Sequence, residues 1–197
     1  SSRRNRERML EVRTDDSRNR LYRIPFDAKT GKLGKPKALD LSKRLRKDPL
    51  LHAFCRIPGK ENGIDIEGLA YRDGRLLVGF RGPVLRDNYV PVMQLDFEQP
   101  KHYELSFVRL RGQGIRDLVA LPNGYLILSG PTNDAPGPYR LWWWDGADQV
   151  PGKDLDTTET VELGEVSTPG GAKAEGLALL ECGGSSAEVI VIYETTT

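Results

Sequence analysis

The chain has 197 residues, 38 % of them apolar and 29 % charged, with 21 glycines and 13 prolines. It is long enough to bury a real core, and its glycine and proline content suits many short strands joined by turns and excludes a helical bundle. The formal net charge of +1 hides a division, because residues 1–60 carry 18 Lys/Arg against 7 Asp/Glu while the remainder carries 11 against 21.

The basic N-terminal part either complements the acidic remainder, within the fold or between subunits, or meets a phosphate-bearing partner. No run approaches the ~18 apolar residues of a membrane span. The opening Ser1-Ser2-Arg3-Arg4-Asn5-Arg6 has no apolar signal region. Cys55 and Cys182 allow one disulfide but lack zinc-ligand spacing, and His52 and His102 stand alone.

In chain order, Arg20–Phe26 and Lys37–Leu41 read as strands flanking a hairpin connection at Asp27–Lys32. Ser42–Lys47 reads as a short helix with Ser42 as N-cap, ended before Pro49. A repeat follows. Ile66-Glu67-Gly68-Leu69-Ala70-Tyr71 leads through Arg72-Asp73-Gly74 to a strand at Arg75–Phe80, closing on Arg81-Gly82-Pro83. Ile115-Arg116-Asp117-Leu118-Val119-Ala120-Leu121 leads through Pro122-Asn123-Gly124 to Tyr125–Leu128 and then Ser129-Gly130-Pro131. Ala174-Glu175-Gly176-Leu177-Ala178-Leu179-Leu180 leads through a turn at Cys182–Ser186 to Glu188–Tyr193. Asp73-Gly74 and Asn123-Gly124 are pairs that tolerate the positive φ of tight hairpin turns.

The matching leucines, Leu69, Leu118 and Leu177, lie 49 and 59 residues apart, close to the period of four-stranded propeller blades. Tyr89–Phe97, Tyr103–Leu110, Tyr139–Trp144 and Thr160–Val166 supply outer strands, which mix polar and apolar residues more evenly. Alternate members of Trp142-Trp143-Trp144 face opposite sides, so one or two enter the core. The expected fold is therefore all-β: a single β-propeller-like domain over 1–197, with about four antiparallel blades around 20–60, 64–110, 114–166 and 173–194.

These motifs, taken in order, resemble an uncharacterised bacterial family catalogued as a domain of unknown function, itself similar to the esterase-like or phytase-like propellers. The resemblance runs from about Arg20 to the C-terminus. It implies a propeller and, more distantly, calcium-assisted phosphoester chemistry. It also implies further blades before the segment resembling Arg3–Met9, so that the chain is the C-terminal portion of a propeller. An open set of blades leaves unpaired strand edges, which predicts a homodimer through the N-terminal edge.

Charged residues recur at the start of each inner strand: Asp65 and Glu67, Arg116 and Asp117, Lys173 and Glu175, with Arg81 closing the first hairpin. Equivalent positions of successive blades surround a central channel, so the repeat predicts a ring of carboxylates and cations at one mouth. Arg81 and Arg116 can clamp a phosphate or carboxylate; Glu67, Asp117 and Glu175 can bind Ca²⁺. The same groups can instead fix blade packing, by accepting neighbouring N–H groups or by pairing with Arg116. Asn133 and Asp134, in the loop after the second hairpin, read first as turn residues and second as calcium ligands.

The functional expectation is a small anionic ligand or a protein bound at the mouth, with calcium-assisted phosphoester hydrolysis as the alternative. Nucleic acid is the weakest partner, because the bulk of the chain is acidic and no strand interleaves aromatic with basic residues.

Overall fold

The structure is a computed structural model describing residues 19–150, 160–183 and 186–195, together with the backbone of 3–4 and 12–13. Residues 5–9 of the Arg3–Met9 segment and Gly184-Ser185 of the third turn lie outside the described residues. The strands are β1 (Arg3–Arg4), β2 (Val12–Arg13), β3 (Arg20–Arg23), β4 (Phe26–Asp27), β5 (Lys32–Leu33) and β6 (Lys37–Asp40). After a helix α1 (Ser42–Leu45) come β7 (Asp65–Arg72), β8 (Arg75–Gly82), β9 (Tyr89–Leu95) and β10 (Tyr103–Arg109). Then follow β11 (Gly114–Leu121), β12 (Gly124–Gly130), β13 (Tyr139–Trp144), β14 (Val161–Val166), β15 (Lys173–Gly183) and β16 (Ser186–Glu194).

The fold is all-β and blade-like. Strands β7–β10 and β11–β14 each form an antiparallel four-stranded meander, and β15–β16 form a hairpin equivalent to the inner half of a blade. The segment around 20–60 is not a four-stranded sheet: β3 pairs β6, β4 pairs β5, and α1 with 3-10 turns at Leu51–Phe54 and Gly59–Glu61 follows. Its strands have few inward residues, so it lies as a cover on the first blade. Leu21, Leu39, Leu41, Leu45 and Leu51 pack there against Val78, Phe80, Met93 and Leu95.

Two further cores separate the blades. Ala70, Leu77, Val90 and Val92 of the first blade meet Leu118, Tyr125, Ile127, Trp142 and Trp144 of the second. Leu121, Leu126, Leu128 and Tyr139 meet Ala174 and Leu177, with Leu179, Val189 and Val191 packed beside them. The tryptophan run alternates as strand geometry requires: Trp142 and Trp144 point to the first blade, and Trp143 to the third hairpin. The deepest burial falls on the middle strands β8, β9 and β12, whereas inner strand β7 keeps an exposed face.

Glycine sets the approach of the first two blades. Gly68 and Gly79 face each other across β7 and β8, and the dimple they leave receives Ile115 and Leu118. A Cβ on Gly79 would stand 2.6 Å from Ile115 Cγ2 and 2.9 Å from Leu118 Cδ1.

The turns follow the sequence at one place and differ at another. Asp73 and Gly74 both take positive φ, 52° and 81°. Asn123 does not, because Pro122 holds its own φ near −65° and Leu121 pairs directly with Gly124. Gly124 is needed for space, since a Cβ there would meet Trp144 O at 2.6 Å. Helix α1 has Leu41 as N-cap with no side-chain cap bond, and the Ser42 N–H instead donates to Asp40 Oδ1 at 2.8 Å. Cys55 and Cys182 are both free thiols.

Filling the dimple tests this packing. Gly79→Ala is expected to destabilise the protein by about 1–3 kcal/mol through overpacking, read as a lower urea midpoint with an unchanged slope.

Candidate functional site

The ladder register slips at the same place in each repeat. In β7 the pairing skips from Ile66 to Gly68, in β11 from Ile115 to Asp117, and in β15 from Ala174 to Gly176. The residues left unpaired are Glu67, Arg116 and Glu175, each two positions before a matching leucine. In β8, Arg81 is skipped in the same way between Phe80 and Gly82. A bulge frees a side chain from the alternation of the strand and re-aims it. Here four bulged residues aim at one another.

Arg116 is the centre. Its Nη1 lies 2.9 Å from Glu67 Oε2, and its Nη2 hydrogen-bonds Glu175 Oε1. Arg81 Nη1 reaches Glu67 Oε1 at 2.8 Å, while its Nη2 bonds Asp65. The result is a continuous chain, Asp65–Arg81–Glu67–Arg116–Glu175, crossing all three inner strands. Glycine makes room for it: a Cβ on Gly114 would lie 1.9 Å from Arg81 O, and one on Gly130 would crowd Arg116 Cγ and the Tyr139 ring. The Arg116 guanidinium sits 5.7 Å from the centroid of that ring. The Arg116 side chain is 3 % exposed, that of Glu67 21 % and that of Glu175 31 %. The cluster therefore opens to solvent at Glu67 and Glu175, while Asp65 is buried.

Burial pushes the Glu67 carboxyl up to about 7, against the pull of Arg116 and Arg81 and with the added push of Asp65 and Glu175. Arg81 Nε and Arg116 Nε are buried donors without a hydrogen-bond acceptor among the described residues.

Asp117 plays another part. Its Oδ1 accepts the Leu118 N–H and its Oδ2 the Leu177 N–H, both at 2.8 Å. The Leu69 N–H adds a weaker pull that also lowers its pKa. One carboxylate thus accepts backbone donors from two of the three matching leucines, on β11 and β15. Burial lifts its pKa above the ordinary range, and these N–H groups oppose the lift.

Lys173 stands at the rim, its Nζ 4.0 Å from Asp134 Oδ1, while Lys60 bonds the other oxygen of Asp134. That hydrogen bond, with the charges of Lys60, Lys173 and Arg81, holds the Asp134 carboxyl below its usual range. Asn133 Oδ1 accepts the Ala135 N–H at 3.0 Å, a turn contact. The set Glu67, Asp117 and Glu175 does not suit a calcium ion. Asp117 is committed to backbone donors and the other two to guanidiniums, and no group of three His, Cys, Asp or Glu among the described residues is arranged to hold a metal.

The structure thus brings together Asp65, Glu67, Arg81, Arg116 and Glu175, sets Lys173 at the edge, and turns Asp117 to the backbone. Lys60 was not legible in the sequence, since it enters from the cover segment and outside the repeat. Ser129, the repeat equivalent of Arg81, is buried and bonds Gln113 Oε1 at 2.6 Å and Trp142 Nε1 at 2.7 Å.

Two outcomes are expected. Asp117→Ala leaves backbone donors of separate strands without their acceptor and should lower stability by about 1–3 kcal/mol in chemical denaturation. Glu67, with its folded pKa raised to about 7, binds a proton in the folded state that the unfolded chain has released, so its stabilising contribution is full below about 4.5 and is lost as pH rises to about 7. The melting temperature of the wild type should therefore fall relative to Glu67→Gln across that window, and parallel pH profiles would contradict the assignment.

Among the described residues no helix is long and apolar enough to cross a membrane. Comparison with curated proteins and with solved structures found no match. The chain does match, over residues 1–197, a family described as "Protein of unknown function (DUF3616)". An all-β set of bladed sheets with a repeated charged bulge is thus the architecture of a chain that belongs to this DUF3616 family.

Proposed function

We propose that the protein is a binding module that takes a small carboxylate- or phosphate-bearing anion at the mouth formed by Glu67, Arg81, Arg116 and Glu175. The observation that carries this reading is the pair of buried arginines drawn to one carboxylate, each keeping an Nε–H without an acceptor among the described residues. Planar guanidiniums recognise carboxylate and phosphate oxygens in bidentate fashion. Glu67 bridges them as an internal stand-in for such an anion, and its raised pKa lets it take up a proton near neutrality. An incoming anion replaces the Glu67 charge between the arginines, and the proton keeps the local charge unchanged. Lys173 and Lys60 add positive potential at the rim. The calcium-assisted phosphoesterase reading lacks this support, because its three carboxylates are engaged elsewhere.

Titration with inorganic phosphate and with malonate tests the proposal. Either anion should raise the melting temperature, more strongly at pH 6 than at pH 8, with proton uptake in calorimetry run in buffers of different ionisation enthalpy. Lys173→Ala, at the rim and half-exposed, should weaken binding without loss of fold, and Glu67→Gln should remove the pH dependence. Absence of stabilisation by both anions would overturn the reading.

A further inference from the structure

The loop after β12 presents one carboxylate at the mouth of the site. Gly130 leads into it, against Arg116 Cγ and the Tyr139 ring. The two stems of the loop close on each other, since a Cβ on Gly137 would stand 2.9 Å from Pro131 Cγ. Gln113 anchors the return by donating from Nε2 to the Pro138 carbonyl, and Asn133 turns the tip by accepting the Ala135 N–H. Asp134 is thus carried at the tip of a loop with a held stem.

Two lysines from separate segments meet that carboxylate. Lys60 comes from the 3-10 turn Gly59–Glu61 just before β7, and Lys173 opens β15. Both stand at the end of the sheets that holds the bulged residues, where β7, β11 and β15 start and β8 and β12 finish. Neighbouring contacts tie them to the charged chain. Gly59 abuts Asp65, where an added Cβ would lie 2.8 Å from Oδ2, and Asp65 accepts a bond from Arg81. Lys173 lies two positions before Glu175, and the charge of Arg81 also reaches Asp134.

The mouth therefore uses one device twice: two cations from different segments drawn onto one protein carboxylate. Arg81 and Arg116 converge on Glu67, and Lys60 and Lys173 converge on Asp134. The two carboxylates yield in different ways. Glu67 is largely buried, with its carboxyl pushed up to about 7, and yields by taking a proton. Asp134 is 57 % exposed and held below the usual range, so it stays ionised and yields by swinging into water. An exposed ion pair contributes little, and little is lost when it opens.

Resting on the anion-binding reading above, we propose that the ligand is a small dicarboxylate. One end is taken by Arg81 and Arg116 in place of Glu67, and the other by Lys60 and Lys173 in place of Asp134. The protein's own carboxylates occupy both positions, which sets the chemistry of the two ends. The guanidinium forks fix the orientation of one end, whereas the ammonium groups act as point charges and accept a range of angles at the other. With both ends on one molecule the second contact is intramolecular, so affinity peaks at the chain length that spans the two pairs.

Calorimetric titration at pH 7 with the straight-chain dicarboxylates from malonate to adipate, beside acetate, tests the proposal. One chain length should bind roughly tenfold or more tightly than acetate, with affinity falling away from that length. Lys60→Ala and Lys173→Ala, on partly exposed side chains, should keep the wild-type circular dichroism and bring that dicarboxylate down toward acetate. Asp134→Asn removes the competing charge and should tighten it. A preference for dicarboxylates that survives both lysine variants would contradict the assignment. Wild type that binds phosphate and gains nothing from a second carboxylate would refute the dicarboxylate and leave single-anion binding intact. A gain from pyrophosphate over phosphate, with none from any dicarboxylate, would refute it too. Binding of none of these anions would remove both readings.

Discussion

A guanidinium stays charged even when hidden from water, so its burial is tolerated only where carboxylates answer it, and at Arg116 the answers come from other strands. Glu67 stands on β7 and Glu175 on β15, with Arg116 on β11 between them. Desolvating such ions costs several kcal/mol each, and removing one member of a buried pair typically costs about 3–5 kcal/mol. The relative placement of the three inner strands is therefore tied to one side chain. Asp117, next in sequence, ties β11 to β15 through backbone donors. Adjacent residues on one strand thus join the three repeats by charge and the last two by hydrogen bonds as well.

This arrangement depends on the β-bulge. In an unbroken strand, residues 116 and 117 would point to opposite faces of the sheet, one toward the first blade and the other toward the third hairpin, and neither could pair with both. The skipped register frees Arg116 from the pleat. Glu67 and Glu175 are freed in the same way, and so the three repeats contribute acid, base and acid in turn. The opposite signs at equivalent positions let the repeats bind to each other. Identical residues at these bulges would repel.

Packing and site chemistry are joined at the glycines. Gly114 and Gly130 remove the Cβ atoms that would hold β11 away from Arg81 or push Arg116 off the Tyr139 ring. Gly68 and Gly79 let Ile115 and Leu118 enter the first blade, which draws β11 close enough for its bulged arginine to meet Glu67. The strain on Glu67 follows from that closeness. Its carboxylate lies between two cations but also near Asp65 and Glu175 and away from water, and burial prevails.

The sequence by itself determined the all-β class, the inner hairpins and the alternation of the tryptophans, because these rest on local period, turn chemistry and self-similarity. It also singled out the charged positions, since they recur at a constant offset from the leucines. Only the tertiary structure decided which charges meet and which do not. Asp117 differs from Arg116 by one position, yet the bulge sends one to the backbone of β11 and β15 and the other to two carboxylates. The shape of residues 20–60 was likewise decided by packing, because a segment with so few inward side chains takes its form from the blade it covers. Lys60 and Asp134 came together for the same reason: residues distant in sequence meet only where the folded surface places them, and no local pattern records that meeting.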